Sequence, residues 1–167
     1  MAKRRIALAA ILGIAAVGSA EIAHPTPRFV WNATASAPVG LYRVKPAAKL
    51  RRGDFVLARL PDGARQLAAE RDYLPANVPL VKRVAALTGD AICREQARIT
   101  INGIVVATAL RTDSRGRSLP RWSGCRTLGQ KEVFLLMPTV ADSFDGRYFG
   151  PIATRTIIGK LVPLWTR

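Results

Sequence analysis

Apolar residues in this chain fall in short runs broken by Gly, Pro, Asn and Asp, the spacing of strands rather than of long helices. Leu80 to Leu87 reads as a buried strand ending at a Gly89-Asp90 turn. Upstream, Phe29-Val30-Trp31 is extended, either a first strand on the core or a segment lying at a membrane interface. Pro38 and Gly40 predict a turn, Leu41 to Val44 the start of a strand, and Phe55 to Leu60 another after the Arg51-Arg52-Gly53-Asp54 turn. Ala64 to Tyr73 is the one short helix expected, with Leu67 and its alanines inward. Ile99 to Ile101 and Ile104 to Ala107 flank Asn102-Gly103, the signature of a hairpin with a type I′ turn. Glu132 to Met137 is a further strand. Asp142 to Pro151 is a dense turn, and Ile152, Ile157, Ile158, Leu161 and Val162 complete a final strand pair. The expected fold class is mainly β, an antiparallel fold with a small hairpin-bearing insertion at about residues 91–130.

One apolar run does not fit that scheme. Met1-Ala2-Lys3-Arg4-Arg5 is a basic head followed by Ile6 to Ala20, the layout of a signal peptide or a membrane anchor. Residues 1–23 are therefore read as an export segment, cleaved or retained, and residues 24–167 as one exported domain. His24-Pro25-Thr26-Pro27 breaks any helix between them. The net charge of +15 is spread along the 167 residues. No zinc-finger spacing, ribonucleoprotein motif or helix-turn-helix pattern accompanies it, so proximity to a membrane surface explains the charge better than nucleic acid does.

Export gives the two cysteines a meaning. In an oxidising compartment Cys93 and Cys125 would most simply form a disulfide closing a loop-like segment. In the chain-entropy model that closure is worth roughly 3 to 4 kcal/mol. Two Cys and one distant His do not complete a zinc site, and no cofactor is expected.

The strand from Leu80 carries Lys82 and Arg83 inside an apolar run. A lysine there loses hydration, which favours the neutral amine and makes it a candidate general base. The plainer alternative is an edge strand whose two cations alternate in and out with no chemistry. Ser36, just before the Pro38 turn, is a candidate nucleophile, although turn serines are mostly structural. A Ser-His-Asp triad is disfavoured because the single His lies beside the export segment. A serine activated by a lysine is the scheme left standing.

Four ordered motifs carry a resemblance. Ser36-Ala37-Pro38, Gly53-Asp54-Phe55-Val56, Val81-Lys82-Arg83-Val84 with Thr88-Gly89-Asp90, and Ser143-Phe144-Asp145-Gly146-Arg147-Tyr148-Phe149-Gly150 follow the order seen in type I signal peptidases. Ala37 stands where those enzymes usually carry Met, Gly146 where they carry Ser, and a Gly-Asp-Asn stretch is missing before the last box. With Ala35-Ser36-Ala37-Pro38-Val39-Gly40-Leu41-Tyr42, these departures resemble the TraF-type peptidases of conjugative plasmid transfer.

The resemblance implies Ser36 as nucleophile and Lys82 as its base. It implies Asp145 as a supporting acid acting with Arg147 or on the lysine's surroundings, the alternative being a surface ion pair that holds a turn. Ser143 would orient the Lys82 amine, and Thr34 would lend a hydroxyl to the oxyanion beside the Ser36 N–H. The implied activity is a serine endopeptidase at the periplasmic face of the inner membrane. It would process an exported pilin precursor, by hydrolysis or by cyclisation, with other transfer-apparatus proteins as further partners. A general signal peptidase and a non-catalytic basic scaffold of a transfer or secretion apparatus are the alternatives.

Overall fold

The computed structural model describes residues 27–167, so the export segment read at residues 1–23 and His24 lie outside the described residues. The strands are β1 (Phe29–Asn32), β2 (Gly40–Lys45), β3 (Phe55–Ala58), β4 (Leu80–Ala86), β5 (Ala91–Glu95), β6 (Arg98–Ile101), β7 (Ile104–Thr108), β8 (Gly124–Thr127), β9 (Glu132–Leu135), β10 (Ile152–Ala153) and β11 (Ile157–Thr166). Helix α1 spans Asp62–Glu70 and the single turn α2 spans Gly146–Phe149. All strand pairs are antiparallel, as the period-2 runs and tight turns predict. Among the described residues no helix is long and apolar enough to cross a membrane.

Seven strands form one sheet in the order β1-β2-β11-β3-β4-β9-β10, and four form a second in the order β7-β6-β5-β8. The large sheet buries Val56, Ala58, Leu80, Val84, Val133 and Leu135 against α1 and the chain around Phe144. Tyr42, Leu57, Val81, Met137, Leu161 and Ala37 form a separate cluster beside the β1–β2 loop. The small sheet packs Ile92, Ile99 and Ile101 on Phe134, Leu136 and Ala86, so β4 and β9 serve both sheets. The β6–β7 hairpin turns through Asn102 and Gly103 with φ of 50° and 80°, the two left-handed residues a type I′ turn requires.

Several boundaries differ from the sequence reading. Helix α1 begins at Asp62, whose carboxylate accepts from Arg65 at 2.8 Å, and its buried residue is Ala68 while Leu67 is only half-buried. The run from Asp142 contains α2, because the Asp145 carboxylate accepts the Arg147 N–H and so caps a helical turn. Ile152 and the residues after Ile157 do not pair with each other: β10 lies on β9, and β11 runs between β2 and β3. Of the two roles weighed for the first segment, Phe29 to Asn32 is a strand, with Val30 packed inward and Phe29 and Trp31 exposed.

Candidate active site

The loop between β1 and β2, residues 33–39, carries Ser36. At its far end Gly40, with φ +154°, lies so close to β11 that a Cβ there would clash with the Trp165 carbonyl oxygen. Across the core, Lys82 is the third residue of β4, paired in register with Val56 of β3 and 4 % exposed. Strand alternation sends Arg83 the other way, into solvent with its guanidinium 4.3 Å from the Phe55 ring centroid.

The Lys82 amine lies 2.8 Å from Ser36 Oγ and 3.0 Å from Ser143 Oγ. Burial lowers the lysine to about pH 8, with Asp145 and Asp142 pulling it back up and Arg147 adding to the fall. At pH 7.5 an amine titrating there is neutral about a quarter of the time, against about one part in a thousand for an ordinary lysine. When neutral it keeps a lone pair for the Ser36 proton and an N–H for Ser143. Ser143, 2 % exposed, is itself tied down by its N–H bond to the Val140 carbonyl at 3.3 Å.

Asp145 and Arg147 stand close behind this pair. The Asp145 carboxylate accepts from Met137 N–H at 3.0 Å and from Arg147 Nε and Nη2 at 2.9 and 2.8 Å. Arg147 also donates to the carbonyls of Ala141, Met137 and Val140. Gly146 between them is required by space, since a Cβ would meet the Leu135 carbonyl oxygen and the Phe134 ring at 2.6 Å. The small sheet braces the same turn: Arg94 donates to the Arg147 carbonyl, and the Trp122 indole donates to Gly146 O at 2.9 Å.

Thr34 is exposed, with its hydroxyl 3.3 Å from Ser36 Oγ and 2.9 Å from Asn32 Oδ1. Cys93 and Cys125 are joined across β5 and β8 at facing register positions, remote from Ser36 in the chain's order but in the sheet that supports α2. The structure thus gathers Ser36, Lys82, Ser143 and Thr34 in one cluster, with Asp145–Arg147 beneath it. Sequence reasoning missed Asn32, a buried side chain at the base of the Ser36 loop. A polar residue ending an otherwise apolar strand, just before a turn, was the available signal.

This arrangement provides a hydroxyl, a desolvated amine within hydrogen-bond reach, and a second hydroxyl to orient that amine. The family model for signal peptidase, peptidase S26, matches residues 2–165. The chain belongs to that family. Its relatives include the plasmid transfer protein TraF of Escherichia coli, 36 % identical over 98 % of this chain and 97 % of the relative. The conjugal transfer protein TraF of Agrobacterium fabrum is 35 % identical over 81 % of each chain. Among solved structures, a signal peptidase I from Enterococcus faecalis matches with a TM-score of 0.40 and 19 % identity, covering 68 % of this chain and 97 % of that one. Membership in the signal peptidase family agrees with a serine peptidase on an antiparallel β fold.

Proposed function

We propose that this signal peptidase family member is a Ser/Lys endopeptidase of conjugative plasmid transfer that matures an exported pilin precursor at the periplasmic face of the inner membrane. The observation that carries the chemistry is the 2.8 Å approach of the buried Lys82 amine to Ser36 Oγ. The transfer setting rests on the printed names of the relatives. Ser36 Oγ attacks the scissile carbonyl while neutral Lys82 takes its proton. The Ser36 N–H and the Thr34 hydroxyl face the developing oxyanion. Collapse breaks the C–N bond, the lysine returns the proton to the leaving amine, and the acyl group stays on Ser36 as an ester. Either water or the substrate's own N-terminal amine then attacks that ester, with Lys82 again accepting a proton. Water gives a linear product and the amine gives a ring lighter by one water.

The membrane setting is supported by an exposed aromatic patch. Trp31 and Trp165 stack with ring centroids 5.7 Å apart, and Phe29 and Leu164 are also about half exposed. Arg43 and Arg167 lie over the Phe29 and Trp165 rings, so aromatic faces and cations occupy one surface, the composition suited to anionic headgroups.

The test is mass spectrometry of the pilin from cells carrying wild type, Ser36→Ala or Lys82→Ala. Mature pilin only with wild type supports the peptidase, and a mass one water below the linear product identifies cyclisation. Normal pilin maturation in both variants overturns the assignment and leaves the basic scaffold reading. Loss of processing of many exported proteins instead identifies a general signal peptidase.

A further inference from the structure

The Asn32 side chain is 5 % exposed at the end of β1, four residues before Ser36. Its Nδ2 lies 2.9 Å from Thr34 O, 3.0 Å from Ala37 O and 3.1 Å from Pro38 O. Its Oδ1 accepts from Thr34 N–H at 3.3 Å and from Thr34 Oγ1 at 2.9 Å. Three carbonyls around one end and a backbone N–H at the other fix which way the amide faces. One buried amide therefore replaces the ladder bonds that residues 33–39 lack, and it spans the loop on both sides of Ser36. Tyr42, fully buried on β2, adds a second anchor by donating its hydroxyl to Pro38 O at 2.6 Å.

We infer that Asn32 is a positioning residue that sets Ser36 Oγ against Lys82 and holds the Thr34 hydroxyl in reserve for the oxyanion. This rests on the reading of Ser36 as nucleophile. Lys82 is fixed independently, by β4 and by Ser143, so the distance between the two is governed from the loop side. The Thr34 proton has two neighbours, Asn32 Oδ1 at 2.9 Å and Ser36 Oγ at 3.3 Å. With Ser36 donating to the neutral lysine, the shorter contact takes the Thr34 proton, which leaves Asn32 only when negative charge develops on the substrate oxygen.

The test uses the full chain in detergent micelles with a synthetic peptide bearing alanines before the scissile bond. Asn32→Ala removes both ends of the clamp. Asn32→Asp keeps the shape but turns a carboxylate oxygen toward three carbonyls, and Tyr42→Phe removes only the second anchor. Misplacing the nucleophile by about 1 Å costs roughly 100-fold. Both Asn32 variants are expected to lose about that much kcat while KM stays within about twofold, and Tyr42→Phe to lose less. The rising limb of the pH profile stays near pH 8, because Lys82 keeps its surroundings. A kcat within about threefold of wild type overturns the inference. So does a loss that only follows the folded fraction in thermal melts and disappears below the melting transition. Equal cleavage by wild type and Ser36→Ala overturns the nucleophile assignment and the role of Asn32 with it. Cleavage that depends on Ser36 but not on Asn32 overturns the latter alone.

Discussion

Asp145 and Arg147 form an ion pair whose side chains are 0 % and 1 % exposed, and their hydrogen bonds run to each other and to the Met137, Val140 and Ala141 backbone rather than to Lys82. Besides its direct charge effect on Lys82, the pair braces the loop that carries Ser143. Met137, Val140 and Ala141 precede Ser143, and Ser143 N–H is bonded to one of the carbonyls that Arg147 also takes, that of Val140. An exposed pair of this kind would contribute under about 1 kcal/mol. A buried one with each guanidinium nitrogen engaged behaves differently, because removing one partner strands the other charge.

Asp145→Asn is therefore expected to destabilise the fold by about 3 to 5 kcal/mol, read by chemical denaturation. Combining it with Arg147→Met should recover part of that loss, since the guanidinium would no longer be buried without its partner. A destabilisation under about 1 kcal/mol for Asp145→Asn would place the pair with ordinary surface contacts.

Much of this architecture was legible from the chain, for physical reasons that can be named. The Asn102-Gly103 hairpin was readable because its turn chemistry is local, and β4 because its apolar run from Leu80 is long enough to read as a buried strand. Strand β8, Gly-Cys-Arg-Thr and exposed throughout, has no hydrophobic signal and exists by pairing with β5. Asp145 and Arg147 are two residues apart, so their proximity was visible, but their complete burial depends on how the chain around Met137 and Val140 folds over them. Asn32 was hidden for the same reason: its three carbonyl partners come together only when the loop curls back. Ser36 and Lys82 could be nominated from residue type and order, while the 2.8 Å between them is a product of how the β1–β2 loop folds toward β4.

Activity should rise with pH through the Lys82 transition near pH 8. The general base is the neutral amine, so kcat/KM climbs as the ammonium loses its proton and levels above it. Stability moves in the same direction. The folded lysine titrates near 8 and the unfolded one near 10.5, so between these values the unfolded chain holds more protons and stability rises with pH. Below pH 8 the full cost of a buried charge applies, on the order of 3 kcal/mol. Lys82→Met should abolish peptidase activity yet unfold at higher denaturant at neutral pH. A pH profile flat from 7 to 10 would remove Lys82 from the base role.

Ser143→Ala should lower kcat with little change in KM, because it removes the hydroxyl 3.0 Å from the amine without touching the loop that carries Ser36. A loss of about 10-fold or more is expected for a misoriented general base. Unchanged kcat would reduce Ser143 to a core polar group that happens to adjoin the lysine.

The Cys93–Cys125 bridge spans 32 residues of chain and anchors a strand with no buried side chain of its own. Replacing both with serine, or adding reductant, should lower the unfolding free energy by roughly 3 to 4 kcal/mol. The two treatments should agree. Thermal melts of wild type that do not respond to dithiothreitol would argue against a bridge in the isolated protein.

The aromatic patch makes a spatially resolved prediction. The chain has three tryptophans, and two of them, Trp31 and Trp165, are stacked and about half exposed on the β1–β11 surface. Trp122 instead lies edge-on to Phe134 and donates to Gly146, inside the contact between the two sheets. In anionic vesicles carrying brominated lipid, bromine should quench Trp31 and Trp165 and spare Trp122, so Trp31→Phe and Trp165→Phe together should leave emission that bromine does not quench. Arg43 and Arg167, beside the same rings, should each add about 1 kcal/mol of headgroup attraction that salt weakens, whereas the aromatic contact survives salt. Quenching that persists in the double variant would show that Trp122 meets lipid, and the membrane-facing surface would then have to lie elsewhere on the molecule.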